Sequence, residues 1–231
     1  IYTLPLHDAL PILVKSCMSM PVSTPLAFRT FRKRADMAAK VFVWVGHPRE
    51  DSLSHGMADA YIRGAQSQGA EIRRMNLHDM QFDPDLTFGY QQRKDLEPCL
   101  NEWRENLTWC NHTCWAYPVW WGGMPAKMKG VIDRAFLPGF AMEYHEKDPW
   151  WDKLLKGRSG DVMLTSDAPA WFDQLLYRRP AANAAKRAVM EFSGIKPVRV
   201  LQVGTVKTAS EAKIKTWIDK AYRLGADAGR R

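Results

Sequence analysis

The chain has 231 residues, of which 46% are hydrophobic and 25% charged, a balance typical of a globular domain with one sizeable core. No apolar run approaches the roughly 18 residues that a membrane-spanning helix needs, and the four cysteines form no CxxC pair, so we expect neither a membrane span nor a disulfide framework. The net charge of +8 is scattered, apart from +3 in residues 1–36, which argues against nucleic-acid binding and suits an anionic small ligand such as a phosphate. Reduced thiols in a cytoplasm are the expected state of the cysteines.

Residues 1–36 are expected to be a leader outside the folded domain. The chain begins at Ile1 with IYTLPLHDALPI, which resembles the translation of a common sequencing-adapter oligonucleotide. The rest of the leader has no usable periodicity, whereas Met37 opens MAAKVFVWVGHP and runs directly into a strand. A targeting peptide is the alternative, because 15–34 is basic, but the stretch lacks a clear apolar region followed by a cleavage site. We therefore expect a non-native or disordered leader and one domain at 37–231.

Strands and helices are predicted to alternate along this domain. Apolar or alternating runs predict five strands, at 41–46, 70–77, 112–119, 160–166 and 198–204. Helical spacing predicts helices at 52–69, 96–107, 124–136 and 171–192 (interrupted by Pro180), with a last amphipathic helix around 214–224. This alternation predicts an α/β, flavodoxin-like three-layer sandwich with a five-stranded parallel sheet in the order 2-1-3-4-5.

In such a sheet a ligand binds beyond the carboxyl ends of the strands, where the strand order reverses. The loops there are GHPREDSLS, YPVWWGGMP and TSDAPAWF. In the first loop, His47 ends a strand, and Ser52 and Ser54 open a helix whose free N–H groups and dipole favour an anion. The alternative is that Ser52 only caps the helix. Asp51 would repel a phosphate, so its side chain must point away or serve the cap.

The second loop places two tryptophans beside two glycines. Pro118 ends the strand because it has no N–H for the ladder. Gly122 and Gly123 allow a close backbone approach or a positive φ. Trp120 and Trp121 beside exposed N–H groups suit a planar heterocycle with polar edges, and the alternative is that they are core residues.

The domain resembles the flavodoxin-fold NAD(P)H:quinone oxidoreductases, the DT-diaphorase-like group, including bacterial FMN-dependent members. The resemblance rests on GHPREDSLSHGMADA, NLHDMQFDPDL, YPVWWGGMPAKMKGVIDRAF and LPGFAMEY. It implies three cofactor-binding loops, formed by His47, Ser52, Leu53 and Ser54, by Pro118, Val119, Trp120, Trp121 and Gly122, and by Thr165, Ser166 and Asp167. The third loop departs from the Thr-Thr-Gly-Gly of many members and is closer to a bacterial T-x-D-x-P-x-W-F pattern.

The same resemblance implies a flavin, FMN or FAD with FMN favoured, and NAD(P)H as co-substrate. Hydride would pass through the flavin to a quinone-like acceptor in a ping-pong, two-electron reaction. Tyr144 matches a tyrosine over the substrate side of the flavin, and His145 follows it at the pocket rim, so both are candidate catalytic residues. Relatives are commonly homodimers, and the aromatic segment 137–158 would supply that contact. The alternatives are a flavin-binding regulatory subunit or an electron carrier without turnover of its own.

No metal site is predicted. Cys110, His112 and Cys114 share one face of a strand, but the two cysteines would be about 13 Å apart, too far for one ion. His78 and Asp133, like His145, are polar residues for which a surface or ion-pair role is the more frequent interpretation.

Overall fold

The computed structural model describes residues 38–231, so the predicted leader lies outside the described residues. The strands are β1 (Lys40–Val45), β2 (Glu71–Asn76), β3 (His112–Pro118), β4 (Met142–Tyr144), β5 (Trp151–Lys153), β6 (Ser159–Thr165) and β7 (Val198–Val203). The helices are α1 (Leu53–Gln66), α2 (Pro98–Trp109), α3 (Ala126–Ala135), α4 (Ala170–Leu176), α5 (Pro180–Asn183), a π-helix (Ala184–Glu191), a 3-10 turn (Val206–Thr208) and α6 (Glu211–Gly229). None of these helices is long and apolar enough to cross a membrane.

Five strands form one parallel sheet in the order β2-β1-β3-β6-β7. This confirms the predicted fold class and the order 2-1-3-4-5 of its five strands. The inner strands β1, β3 and β6 are buried along almost their whole length, as their continuous apolar sequences require when both faces are covered. The edge strand β2 is more exposed, which matches its alternating sequence.

The sheet separates two hydrophobic clusters. Phe42 and Trp44 of β1 face α2 and α3, where Trp44 packs edge-on against Trp103 and Trp115 with ring centroids 5.0 and 5.3 Å apart. The intervening valines of β1 face the opposite cluster, which includes residues of α1 and α6. The two-residue period of the strand therefore divides its side chains between two separate cores.

Helices α1 and α6 pack backbone against backbone at two glycines. A Cβ atom added to Gly64 would lie 2.0 Å from the carbonyl oxygen of Tyr222, and one added to Gly225 would lie 2.0 Å from that of Tyr61. Only a residue without a side chain fits at either position. These glycines set the distance between the two helices on this face of the sheet.

The elements differ from the predictions in some details. The helical region at 171–192, predicted to be interrupted at Pro180, is interrupted just before that residue, where Arg178 and Arg179 both adopt left-handed conformations (φ 58° and 54°), and it continues as α5 and a π-helix. The helix predicted to begin at Met124 begins at Ala126, and Pro125 occupies its N-cap position. The antiparallel hairpin of β4 and β5 lies in a segment for which we predicted no strand.

A buried polar network lies on the side of the sheet that α1 and α6 cover. The carboxylate of Asp161 accepts hydrogen bonds from Arg199 (Nε and Nη2, both 2.7 Å), Tyr61 Oη (2.7 Å) and His112 Nε2 (3.0 Å). Burial alone would raise the pKa of Asp161, but the hydrogen bonds from His112 and Arg199 and their charge interactions outweigh it and lower the pKa to about 2. His112, considered above as a metal ligand, is instead part of this network.

Candidate functional site

A cavity of about 190 Å³ opens at the carboxyl ends of β1, β3 and β6. It is lined by residues of the three loops identified in the sequence and by one residue of the 3-10 turn: His47, Arg49, Ser52, Leu53, Ser54, Pro118, Val119, Trp120, Thr165, Ser166, Asp167 and Val206. Ten of the twelve predicted cofactor-binding residues are in this set. The strand order therefore brings together residues from three distant parts of the chain.

The first loop presents the N-terminus of α1 to the cavity. Ser52 is the N-cap, with extended backbone and its Oγ accepting from His55 N, and the first turn contains no acidic side chain. Within residues 38–231, the backbone N–H groups of Leu53 and Ser54 donate to no acceptor. Both are free to bind an anion, and the helix dipole favours one at this position. Ser52 thus caps the helix and lines the cavity.

The titratable side chains around this helix end include an exposed aspartate and two histidines. Asp51 is largely exposed and pairs with Arg49, whose Nε lies 3.2 Å from its carboxylate, so it points away as the sequence required. Burial lowers the pKa of His47. Burial, together with the nearby charges of Arg74, His78 and His47, lowers the pKa of His55 to about 4.

The second loop is a tight turn. Trp120 and Gly123 bond to each other through both backbone pairs, at 3.0 and 2.9 Å. The two residues between them have positive φ, 50° at Trp121 and 71° at Gly122, which is the signature of a type I′ turn. Neither tryptophan is a core residue, since Trp120 is 46% exposed and Trp121 fully exposed. Trp120 packs edge-on against the His47 ring at 5.8 Å and so joins the first two loops.

The third loop makes hydrogen bonds to the first loop and to the 3-10 turn after β7. Thr165 Oγ1 lies 3.2 Å from Ser54 Oγ, which places two hydroxyls side by side at the cavity wall. Ser166 Oγ donates to the carbonyl oxygen of Ala168, and Asp167 Oδ1 accepts from the Lys207 backbone N–H at 3.0 Å. The Asp167 carboxylate therefore stabilises its own loop.

A family model described as "flavodoxin-like fold" matches residues 39–224. The chain belongs to this family. Among its relatives is the uncharacterised NAD(P)H oxidoreductase YcaK of Escherichia coli, 29% identical over 124 residues, which are 50% of this chain and 63% of that protein. The chain spans about half to two thirds of the length of the curated relatives it matches.

Two solved structures show the likeness of this flavodoxin-like chain in three dimensions. An NAD(P)H:quinone oxidoreductase from Methanothermobacter marburgensis superposes with a TM-score of 0.69 at 20% identity, covering 83% of this chain and 99% of that one. An FMN-dependent NADH-azoreductase from Bacillus anthracis, in complex with FMN, superposes with a TM-score of 0.68 at 15% identity, covering 83% of this chain and 99% of that one. At these identities the likeness establishes the fold.

Four predicted site residues do not line the cavity of this flavodoxin-like domain. Trp121 and Gly122 form the tip of the turn. Tyr144 and His145 belong to the β4–β5 hairpin region, where Tyr144 is 54% exposed and His145 Nδ1 lies 2.9 Å from Asp148 Oδ1. In this structure the His145 ring makes a hydrogen bond with Asp148 at the surface of the hairpin region.

Two lining residues were missed by the sequence prediction, Arg49 and Val206. Arg49 stands in the first loop, and its charge beside a predicted anion site was a signal that could have identified it. Val206 follows β7, a strand whose loop was not expected to reach the switch point, and its sequence context carries no such signal.

Proposed function

We propose that this protein is a flavin-dependent NAD(P)H oxidoreductase with a quinone-like acceptor. The observation that carries the proposal is the cavity itself: an anion-binding helix N-terminus and an indole wall meet at the switch point of a flavodoxin-like sheet. The names of the relatives support it, since they include an NAD(P)H oxidoreductase, an NAD(P)H:quinone oxidoreductase and an FMN-dependent NADH-azoreductase. FMN or FAD would fill the site, with FMN favoured.

The residues present fit a flavin. The free N–H groups of Leu53 and Ser54 suit a phosphate, and the hydroxyls of Ser54 and Thr165 suit a polyol chain. The cavity is smaller than the 300–1,000 Å³ usual for a whole ligand. It would enclose the phosphate end, and the ring system would lie on the open side beside Trp120.

The difficult chemistry belongs to the cofactor, which would exchange two electrons with NAD(P)H and then with the acceptor in a ping-pong sequence. The chain would hold and orient it: the α1 N-terminus fixes the phosphate, and the turn at Trp120–Gly123 sets the wall beside the ring. Tyr144, half-exposed on β4, is proposed to contact the acceptor. His145 is proposed as its neighbour at the rim.

A homodimer is proposed from the exposed aromatic residues of the hairpin region. Trp150 is 65% exposed and Tyr144 54%, and a second chain would cover them.

The cytoplasm is the proposed location, on the ground that Cys99, Cys110 and Cys114 are free thiols. An electron carrier or a regulatory subunit remains the alternative, and turnover by the purified chain separates them from an enzyme.

The visible spectrum of the purified protein tests the proposal. We expect flavin absorption after purification or after reconstitution with FMN or FAD, and mass spectrometry of the released cofactor names it. The flavin-loaded protein should oxidise NAD(P)H with a quinone, giving parallel lines when both substrates are varied. A protein that binds neither flavin would overturn the proposal, and a flavin protein without turnover would favour the carrier or regulatory alternative.

Gly122→Val is expected to weaken flavin retention by at least tenfold, whereas Trp120→Phe should weaken it by less. The reason is the φ of 71° at Gly122, since a β-branched residue there costs about 1–3 kcal/mol and forces the turn open. Trp120→Phe keeps an aromatic wall. The dissociation constant of FMN, followed by quenching of its fluorescence, measures both variants. Equal retention by the Val variant and the original protein would contradict this account of the turn.

A further inference from the structure

A second cavity, of about 570 Å³, lies between the α4–α5 region, the π-helix and the outer edge of β7. We call it the basic groove, and define it by its lining residues: Gln174, Arg178, Arg179, Ala182, Asn183, Lys186, Arg187, Val198, Arg199 and Val200. Five of these ten side chains are cationic and none is acidic. Its composition points to an anionic ligand with more than one negative group.

The groove's cations are mostly unneutralised. Among residues 38–231, no carboxylate lies within 4.0 Å of the guanidinium groups of Arg178, Arg179 or Arg187, and Lys186 has only Glu191, at 3.9 Å. Arg199 is the exception, because Asp161 and Asp227 both pair with it. Three arginines and one lysine are therefore available to an incoming anion, and guanidinium groups bind phosphates through paired, charge-assisted hydrogen bonds.

The backbone under these cations is unusual. Arg178 and Arg179 are consecutive residues with left-handed φ, a conformation that costs energy for a residue with a long side chain. Lys186 and Arg187 stand on a π-helix, a rare element that is frequent at functional sites. The Nε atom of Arg179 is buried and has no hydrogen-bond partner within the described part of the chain. The left-handed pair and the π-helix thus place four cationic side chains along one groove.

The groove begins beside the first site. A Cβ atom at Gly122, in the turn that would border the flavin ring, would lie 3.5 Å from Cγ of Pro180, the residue after Arg179. Tyr117, at the carboxyl end of β3, donates to the carbonyl oxygen of Ala181 at 3.0 Å. A ligand with one end over the ring would therefore find these cations along its continuation.

We propose that the basic groove binds the phosphorylated adenosine end of the reduced nicotinamide dinucleotide and recognises its 2′-phosphate, so that NADPH is preferred over NADH. This rests on the proposed function for the nicotinamide end of the ligand. The 2′-phosphate is a dianion attached to one ribose, and it is the group that distinguishes the two dinucleotides. A groove whose described residues include three unpaired arginines and one lysine paired only at 3.9 Å has positive charge beyond what the pyrophosphate common to both dinucleotides requires.

Direct binding of nucleotide fragments tests the groove without turnover. Calorimetry on the flavin-reconstituted protein would compare adenosine 2′,5′-bisphosphate with 5′-AMP, which lacks the 2′-phosphate. We expect the bisphosphate to bind at least tenfold more tightly, and Arg178→Gln with Arg187→Gln to abolish the difference. Lys220→Gln with Arg223→Gln, which removes the same two positive charges from the exposed side of α6, should leave it unchanged. Equal affinity for the two nucleotides would overturn the proposal.

Steady-state kinetics separates this inference from the function on which it rests. With a working enzyme, the groove variants should raise KM for NADPH about tenfold and leave KM for NADH within about twofold. Turnover with an unchanged NADPH preference in the variants would overturn the groove and leave the proposed function standing. Absence of NAD(P)H oxidation, with discrimination between the two fragments retained, would overturn the proposed function and leave the groove as a 2′-phosphate site.

Discussion

Gly64→Ala is expected to destabilise the protein by about 3 kcal/mol, the upper end of the usual cost of overpacking, because the clash is with a backbone atom. The new methyl would stand 2.0 Å from the Tyr222 carbonyl oxygen, and the only relief is to separate α1 from α6. For a chain of this size, such a loss lowers Tm by about 6–12 °C. Thermal unfolding followed by circular dichroism measures it.

Gly56→Ala is the matched control within the same helix. Its methyl would lie 3.6 Å from Cδ1 of Ile218, an ordinary contact, and alanine favours a helix over glycine by about 1 kcal/mol. We expect Tm to stay the same or rise. If the two variants lost the same stability, the close contact at Gly64 would not be what fixes the helix distance.

Asp161→Ala is expected to cost about 3–5 kcal/mol at pH 7, since it removes the buried acceptor shared by a guanidinium and two further donors. Arg199, His112 and Tyr61 would all lose their common acceptor inside the fold. Urea denaturation measures the change in the free energy of unfolding. Asp133→Ala, which removes only the partly exposed Lys129 pair on α3, should cost less than about 1 kcal/mol.

The same carboxylate predicts a specific pH dependence. Its pKa is about 2 in the folded protein against an ordinary 3.8, so its contribution is complete above about pH 4 and is lost as the pH falls towards 2. The original protein should lose about 2 kcal/mol over this range through this group, and Asp161→Ala should not. Parallel pH curves for the two proteins, or a loss in Asp161→Ala no larger than in Asp133→Ala, would contradict the role given to the network.

The sheet was predictable because each of its strands has a recognisable local sequence pattern. The run VFVWV has no polar residue, so only a strand covered on both faces can hold it, and Pro118 marks where the ladder stops. The three loops that supply the ten predicted cavity residues followed from the strand order, and the individual residues followed from the family resemblance. Once the order is known, the loops after β1, β3 and β6 must meet.

What the sequence did not reveal depends on contacts between distant residues. Pro180 predicted an interruption of the helix, but no local sequence signal predicts that Arg178 and Arg179 adopt left-handed φ. The three-residue strands β4 and β5 are too short to show a two-residue period. Trp121 was expected in a ligand-lining loop, yet the turn geometry that exposes it depends on Gly122 and Gly123 together.

The parallel sheet also determines how the chain must fold. β1 finds its inner partner β3 about 71 residues further along the chain, so the central pairing closes a long loop before it gains any contact. During synthesis VFVWV stays unpaired on that side until β3 has emerged. Folding should therefore be slow compared with that of a helical bundle, and refolding yield should fall as protein concentration rises, because an unpaired apolar strand also pairs with other chains.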